Sequence, residues 1–121
     1  VAPDRLTYTF KIKPGVKFHD GSDLSSADIK ATFDRLRNPP QGITSARRGQ
    51  FSSIGSIETP SADTVVFKLK HVNPAALYMF ANPWNCVYSA KKLEADQKFY
   101  ETNVMGTGPF VFEEYAKGSH W

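Results

Sequence analysis

Leu6, Tyr8, Phe10 and Ile12 alternate with Thr7, Thr9 and Lys11. A period of two is the spacing of a strand with one buried and one wet face, so this stretch commits the chain to a sheet with an apolar side. The alternation returns where Val65, Phe67 and Leu69 interleave with Val66, Lys68 and Lys70. Ile54 to Glu58 precedes it across Thr59-Pro60-Ser61-Ala62-Asp63, a run of turn formers, and the two arms predict a β-hairpin. Lys13-Pro14-Gly15 predicts a turn into a short strand through Val16 and Phe18, and His19-Asp20-Gly21-Ser22 a second turn. Gly106-Thr107-Gly108-Pro109 predicts a loop delivering a last strand, in which Phe110 and Phe112 alternate with Val111 and Glu113.

Helices are expected between these strands. Ser25 stands three residues before Asp28, an acidic capping box in which each side chain satisfies a free amide of the first turn. Ile29, Thr32, Phe33 and Leu36 then share one face, and Asn38-Pro39-Pro40 ends the helix because the residue before a proline is pushed out of the helical region. Gln41 to Ser53, with its glycines and serines, predicts a loop with one helical turn. Asn73 before Pro74 predicts a second helix running to Phe80. Cys86 to Tyr88 is expected to be extended, and Ala90 to Asp96 helical. The sum is an α+β fold, a mostly antiparallel sheet packed against helices, in a single domain over residues 1–121.

The 121 residues carry a formal charge of +3, with basic residues spread along the chain among nearly as many acids, which does not imply nucleic acid as a partner. A chain of this length suffices for one domain but is too short for two lobes with a cleft between them, and its five Tyr, nine Phe and two Trp can fill one compact core. No apolar run is long enough to span a bilayer, and Val1-Ala2-Pro3-Asp4 lacks the regions of a signal peptide, so either a signal has been removed or the chain begins inside a longer one. Cys86 is the single cysteine, which excludes an internal disulfide; its expected role is that of a small buried hydrophobe.

No catalytic or metal-binding pattern emerges. His19, His71 and His120 are far apart, with no HExxH or CxxC spacing, and no cofactor is expected. Gly106-Thr107-Gly108 lacks the third glycine and the Lys-Ser/Thr ending of a phosphate loop. Asp20 and Asp23 sit in a turn rich in Gly and Ser, where carboxylates bond nearby backbone amides rather than acting as acid and base. Two places suit a ligand. Arg47 and Arg48, in a Gly/Ser-rich loop, can offer paired hydrogen bonds to a carboxylate, and Trp84, between Pro83 and Asn85, offers an aromatic ring from a loop.

Several phrases then occur in a telling order. Residues 6–21, reading LTYTFKIKPGVKFHDG, followed by Leu24-Ser25-Ser26-Ala27-Asp28-Ile29, by Ile57-Glu58-Thr59-Pro60 with Thr64-Val65-Val66-Phe67-Lys68-Leu69, and by Gly106-Thr107-Gly108-Pro109-Phe110, resemble the family 5 extracellular solute-binding proteins, the oligopeptide, dipeptide and nickel receptors of ABC importers. The first phrase is highly specific, and the resemblance covers nearly the whole chain. The turn Ser61-Ala62-Asp63 and the pair Asn85-Cys86 depart from the usual pattern, which leaves the ligand class open.

The resemblance implies the small extra domain of a larger two-lobed receptor of the periplasmic-binding-protein type II-like fold. It implies capture of a peptide or similar small solute in the periplasm or outside the cell, delivery to an ABC permease, and no catalysis. It places the loops of Arg47 and Arg48 and of Trp84 and Asn85 on the ligand-facing side. An isolated piece of such a receptor is expected to bind weakly or not at all, because affinity comes from burial between two lobes, and to self-associate through an uncovered sheet edge. The alternative expectation is a structural or protein-interaction module with no solute site of its own.

Overall fold

A computed structural model of the chain describes residues 1–119. Strands β1 (Thr7–Lys11), β2 (Ile54–Ser61) and β3 (Thr64–Leu69) form an antiparallel sheet in the order β1-β3-β2. Register explains the buried face. Tyr8 stands opposite Phe67, Phe10 opposite Val65, and Ile57 opposite Phe67, so the alternating apolar residues of all three strands lie on one side. That side is covered by α1 (Ser26–Arg37), by a 3-10 turn at Arg48–Phe51 and by α2 (Ala76–Phe80), which contribute Phe33, Phe51, Ala76 and Met79 to the core. Phe67 is its hub. The rings of Phe80, Phe33 and Phe10 lie 4.6, 5.1 and 5.9 Å from its own, and aromatic pairs of this kind add about 0.5–1.5 kcal/mol each beyond burial. The opposite face is wet, and its Lys68–Glu58 ion pair at 2.7 Å, with both side chains about half exposed, contributes at most about 1 kcal/mol.

The capping box at α1 does more than start a helix. One oxygen of the Asp28 carboxylate accepts the Ser25 backbone N–H at 2.7 Å and the Ser25 hydroxyl at 2.9 Å, while the other accepts the N–H of Ala90 at 2.8 Å. It thereby holds the first residue of α3 (Ala90–Ala95) against α1. One turn on, the Thr32 hydroxyl accepts the Tyr88 N–H at 2.8 Å. Ser26 faces the other way, donating its N–H to Ala62 O and its hydroxyl to Ser61 O, which docks α1 on the hairpin turn.

Several expectations need adjustment. β2 runs on through Pro60 to Ser61, and the turn shrinks to Ala62 and Asp63; the proline is tolerated because β2 is an edge strand with no ladder partner on its outer side. Gly55 sits at a register shift in β2, where a side chain would press within 3.3 Å of the Lys68 carbonyl. The second helix begins at Ala76, because Asn73 spends its side-chain oxygen on the N–H of Ala75 and holds a turn ahead of the helix. Val16 to Phe18 joins no sheet: Phe18 and Leu24 donate N–H groups to Ser22 and Val16, closing a small loop with one bridge between Lys17 and Asp23. A further short helix, α4 (Phe99–Thr102), follows α3.

Two expectations are overturned. Phe110 to Phe112 forms no strand, and Phe110 is 86% exposed, since among the described residues no strand lies alongside to supply ladder hydrogen bonds. Cys86 is exposed rather than buried: in the extended loop the half-buried Asn85 and Val87 turn inward, and the residue between them must turn out. Among the described residues no helix is long and apolar enough to cross a membrane.

Candidate functional site

The loop holding Arg47 and the loop holding Trp84 meet. Arg47 donates from Nη1 to the Trp84 carbonyl at 2.9 Å, from Nη2 to Asn85 Oδ1 at 2.7 Å and from Nε to Gln50 Oε1 at 3.2 Å. Its guanidinium carbon lies 5.2 Å from the centre of the Phe51 ring, close enough for a cation–π contribution. Asn85 in turn gives its side-chain amide to the carbonyls of Met79 and Phe80, each at 2.9 Å. A helix end leaves carbonyls without partners, and in a helix as short as α2 this closure is a large share of its hydrogen bonding.

Three of the four expected residues are thus brought together, in two roles. Arg47 and Asn85 have their polar groups turned to the protein and staple the 3-10 turn, α2 and the following loop into one unit. Trp84 enters through its backbone only: Asn82 Oδ1 accepts its N–H at 2.9 Å, and its indole is 78% exposed. Arg48, the fourth, is exposed on the same turn and joins none of these bonds. Gln50, which Arg47 bonds, was not singled out in the sequence, and neither was Tyr78, 83% exposed on α2. Nothing in the period of so short a helix announces which of its apolar residues will face water.

A second feature joins distant phrases. The His19 ring accepts the Gly106 N–H at Nδ1 (3.3 Å) and meets the Gly108 carbonyl at Nε2 (3.0 Å), while the His19 backbone N–H donates to Gly106 O at 3.0 Å. Because Nδ1 accepts, Nε2 carries the proton and donates. The Gly106-Thr107-Gly108 loop is therefore an acceptor and donor for a histidine rather than a cradle for phosphate. It walls an open cavity of about 590 Å³ shared with Asn85, Cys86, Val87 and Tyr88. Tyr100, stacked on Tyr88 with ring centres 4.2 Å apart, closes one side; burial pushes its phenol up from the ordinary range, although its oxygen accepts the Ser89 N–H. A smaller, apolar depression of about 230 Å³ opens between Phe10, Phe80 and Val87. Among the described residues no three metal-ligating side chains gather.

With this geometry in view, the comparisons with known proteins are unambiguous about kinship. Residues 1–121 match the model of the bacterial extracellular solute-binding proteins, family 5 middle region. The chain is 39% identical over 121 residues to a Brucella abortus protein named an ABC transporter peptide-binding protein, covering 96% of this chain and 22% of that one. It is 34% identical over 115 residues to a glutathione-binding protein of Salmonella typhimurium, covering 95% and 22%. In three dimensions it superposes on the binding protein AgaA of A. tumefaciens R10 in complex with agropinic acid, with a TM-score of 0.86, 34% identity and coverage of 98% and 23%. The chain spans about a fifth of the length of the relatives it matches.

Proposed function

The chain belongs to the family 5 bacterial extracellular solute-binding proteins, and from that premise we propose that it serves as one segment of a larger two-lobed receptor that captures a peptide or similar small solute for an ABC importer. The observation that carries this is the family match over the whole chain, joined to relatives whose names record peptide and glutathione binding. In this reading the receptor works outside the cytoplasm, hands its solute to a permease, and performs no chemistry on it. Affinity arises when two lobes close over the solute and shut water out of its polar contacts.

The arrangement of the four candidate residues supports a second reading, in which this segment itself is a structural and interaction module. Arg47 and Asn85 are committed to each other and to α2, so they hold loops in place; Trp84 and Arg48 keep their functional groups open to a ligand or a neighbouring surface. A thermal-shift screen with a peptide library, run on the full-length receptor and on this chain, tests both readings. Stabilisation of the full-length receptor alone is the expected result. Stabilisation of neither would remove the peptide-receptor reading, and stabilisation of the isolated chain would remove the module reading.

A further inference from the structure

His19 tethers a stretch of chain that no helix or strand holds. Among the described residues, the hydrogen bonds that residues 104–113 make to the rest of the protein all end on it. Its backbone N–H donates to Gly106 O at 3.0 Å, its Nε2 donates to Gly108 O at 3.0 Å, and its Nδ1 accepts the Gly106 N–H at 3.3 Å. Two of the three use the ring, and they ask opposite things of its two nitrogens. A carbonyl can only accept and a backbone N–H can only donate, so one form of the side chain satisfies both, the neutral imidazole protonated at Nε2. A second proton, on Nδ1, sets a donor against the Gly106 donor and ends that bond. The Nε2 bond to Gly108 survives it, and strengthens as the donor becomes charged.

The groups around the ring leave room for that second proton. Glu113 and Glu114 line the cavity onto which one side of His19 opens, and carboxylates favour the imidazolium. Cys86, Tyr88 and, from α4, Tyr100 line the other side, a thiol and two phenols, which are neutral types in the range where imidazoles titrate. The neighbouring charges are paired among themselves: Asp20 with Lys92 of α3 at 3.3 Å, and Lys17 with Asp23 at 2.6 Å. The Gly106 N–H is thus the group set against the imidazolium.

We propose that His19 is a proton-sensitive latch on the Gly106–Gly108 loop: the neutral ring locks both glycines, and the imidazolium keeps Gly108 while releasing the Gly106 amide. The loop walls the cavity beside Tyr88 and leads into the exposed segment from Phe110 to Phe112, so acid loosens that wall and the course of the chain beyond it. Imidazole is the side chain whose charge ordinarily changes between about pH 5 and 8, which sets the range of the device. The latch is internal to this segment and goes beyond the choice between the receptor and module readings.

Nitrogen NMR of the full-length receptor, labelled in its histidine rings and glycine amides and titrated from about pH 8 to about pH 5, tests this. At the upper end the His19 ring is expected to carry its proton on Nε2. As the ring gains its second proton, the Gly106 amide signal should move with the same midpoint. Its protection from hydrogen exchange, corrected for the intrinsic pH dependence of exchange, should fall roughly two- to tenfold, the loss of one ordinary hydrogen bond. The Gly42 amide, in the loop after α1, should not follow that midpoint. His19→Gln, whose amide does not titrate, should flatten the Gly106 response. A His19 ring protonated at Nδ1 at the upper end, a Gly106 amide that ignores the midpoint of the ring, or a Gly106 response that persists in His19→Gln would each overturn the latch. The first two readings come from the unaltered receptor, so they decide the matter even where the variant fails to fold.

Discussion

At the scale of single residues, side chains here act mainly by completing other groups' hydrogen bonds. Asp20 shows it most simply. The Ser22 hydroxyl, at 2.5 Å, and then the Ser22 N–H, at 3.0 Å, hold its carboxyl down to about 2, with Lys92 assisting. A carboxylate lowered on folding lends stability that is in place above its unfolded value near 4 and is lost as pH falls toward 2. Asp63, held at about 2 by Ser61 and Thr64, adds to the same acid limb. Replacing Ser22 with Ala is expected to move the Asp20 midpoint upward, toward the ordinary carboxylate range, and leave Asp63 where it is; carbon-detected NMR titration reads both. Arg47 is the other informative residue. Lysine keeps its charge but cannot serve Gln50, Trp84 and Asn85 at once, so Arg47→Lys is expected to destabilise the protein by about 1–3 kcal/mol in urea denaturation. An Arg47 that only faced solvent would show no such loss.

At the scale of elements, short helices depend on ties to their neighbours. α2, α3 and α4 are too short to persist alone. α2 is closed by Asn85, and α3 by Ser89 at its start and by the Asp28 carboxylate behind Ala90. Asp28 thus closes one helix and positions another. Asp28→Ala is expected to cost about 2–3 kcal/mol, more than the roughly 1 kcal/mol of an ordinary cap. Asp23→Ala, which breaks only the exposed pair with Lys17, should cost little, and the two variants compared in chemical denaturation separate these cases. The start of α1 was legible because the capping box lies within four residues. The second duty of Asp28 was not, because Ala90 is distant in sequence and no local rule couples them. The end-stapling of α2 by Asn85 was hidden for the same reason.

At the scale of the whole molecule, one apolar layer between the sheet and its helices carries the stability. Phe51, fully buried, and Phe110, almost fully exposed, are the same residue type in opposite situations. Phe51→Ala is expected to cost about 3–5 kcal/mol and Phe110→Ala close to nothing, as read from thermal and urea unfolding. A large loss at Phe110 would show that its segment packs in solution as its alternating pattern suggests. By itself the amino-acid order determined the strands through Tyr8 and Phe67, the first helix and its cap, the α+β class and the family, because each depends on periodicity, on chemistry a few residues apart or on a contiguous phrase. Only the tertiary structure decided that Arg47 meets Asn85, that His19 holds the Gly106 loop, that Cys86 faces water and that Phe110 to Phe112 stays out of the sheet. A strand, a staple or a buried thiol needs something across from it, and what stands across is set by how the chain returns on itself.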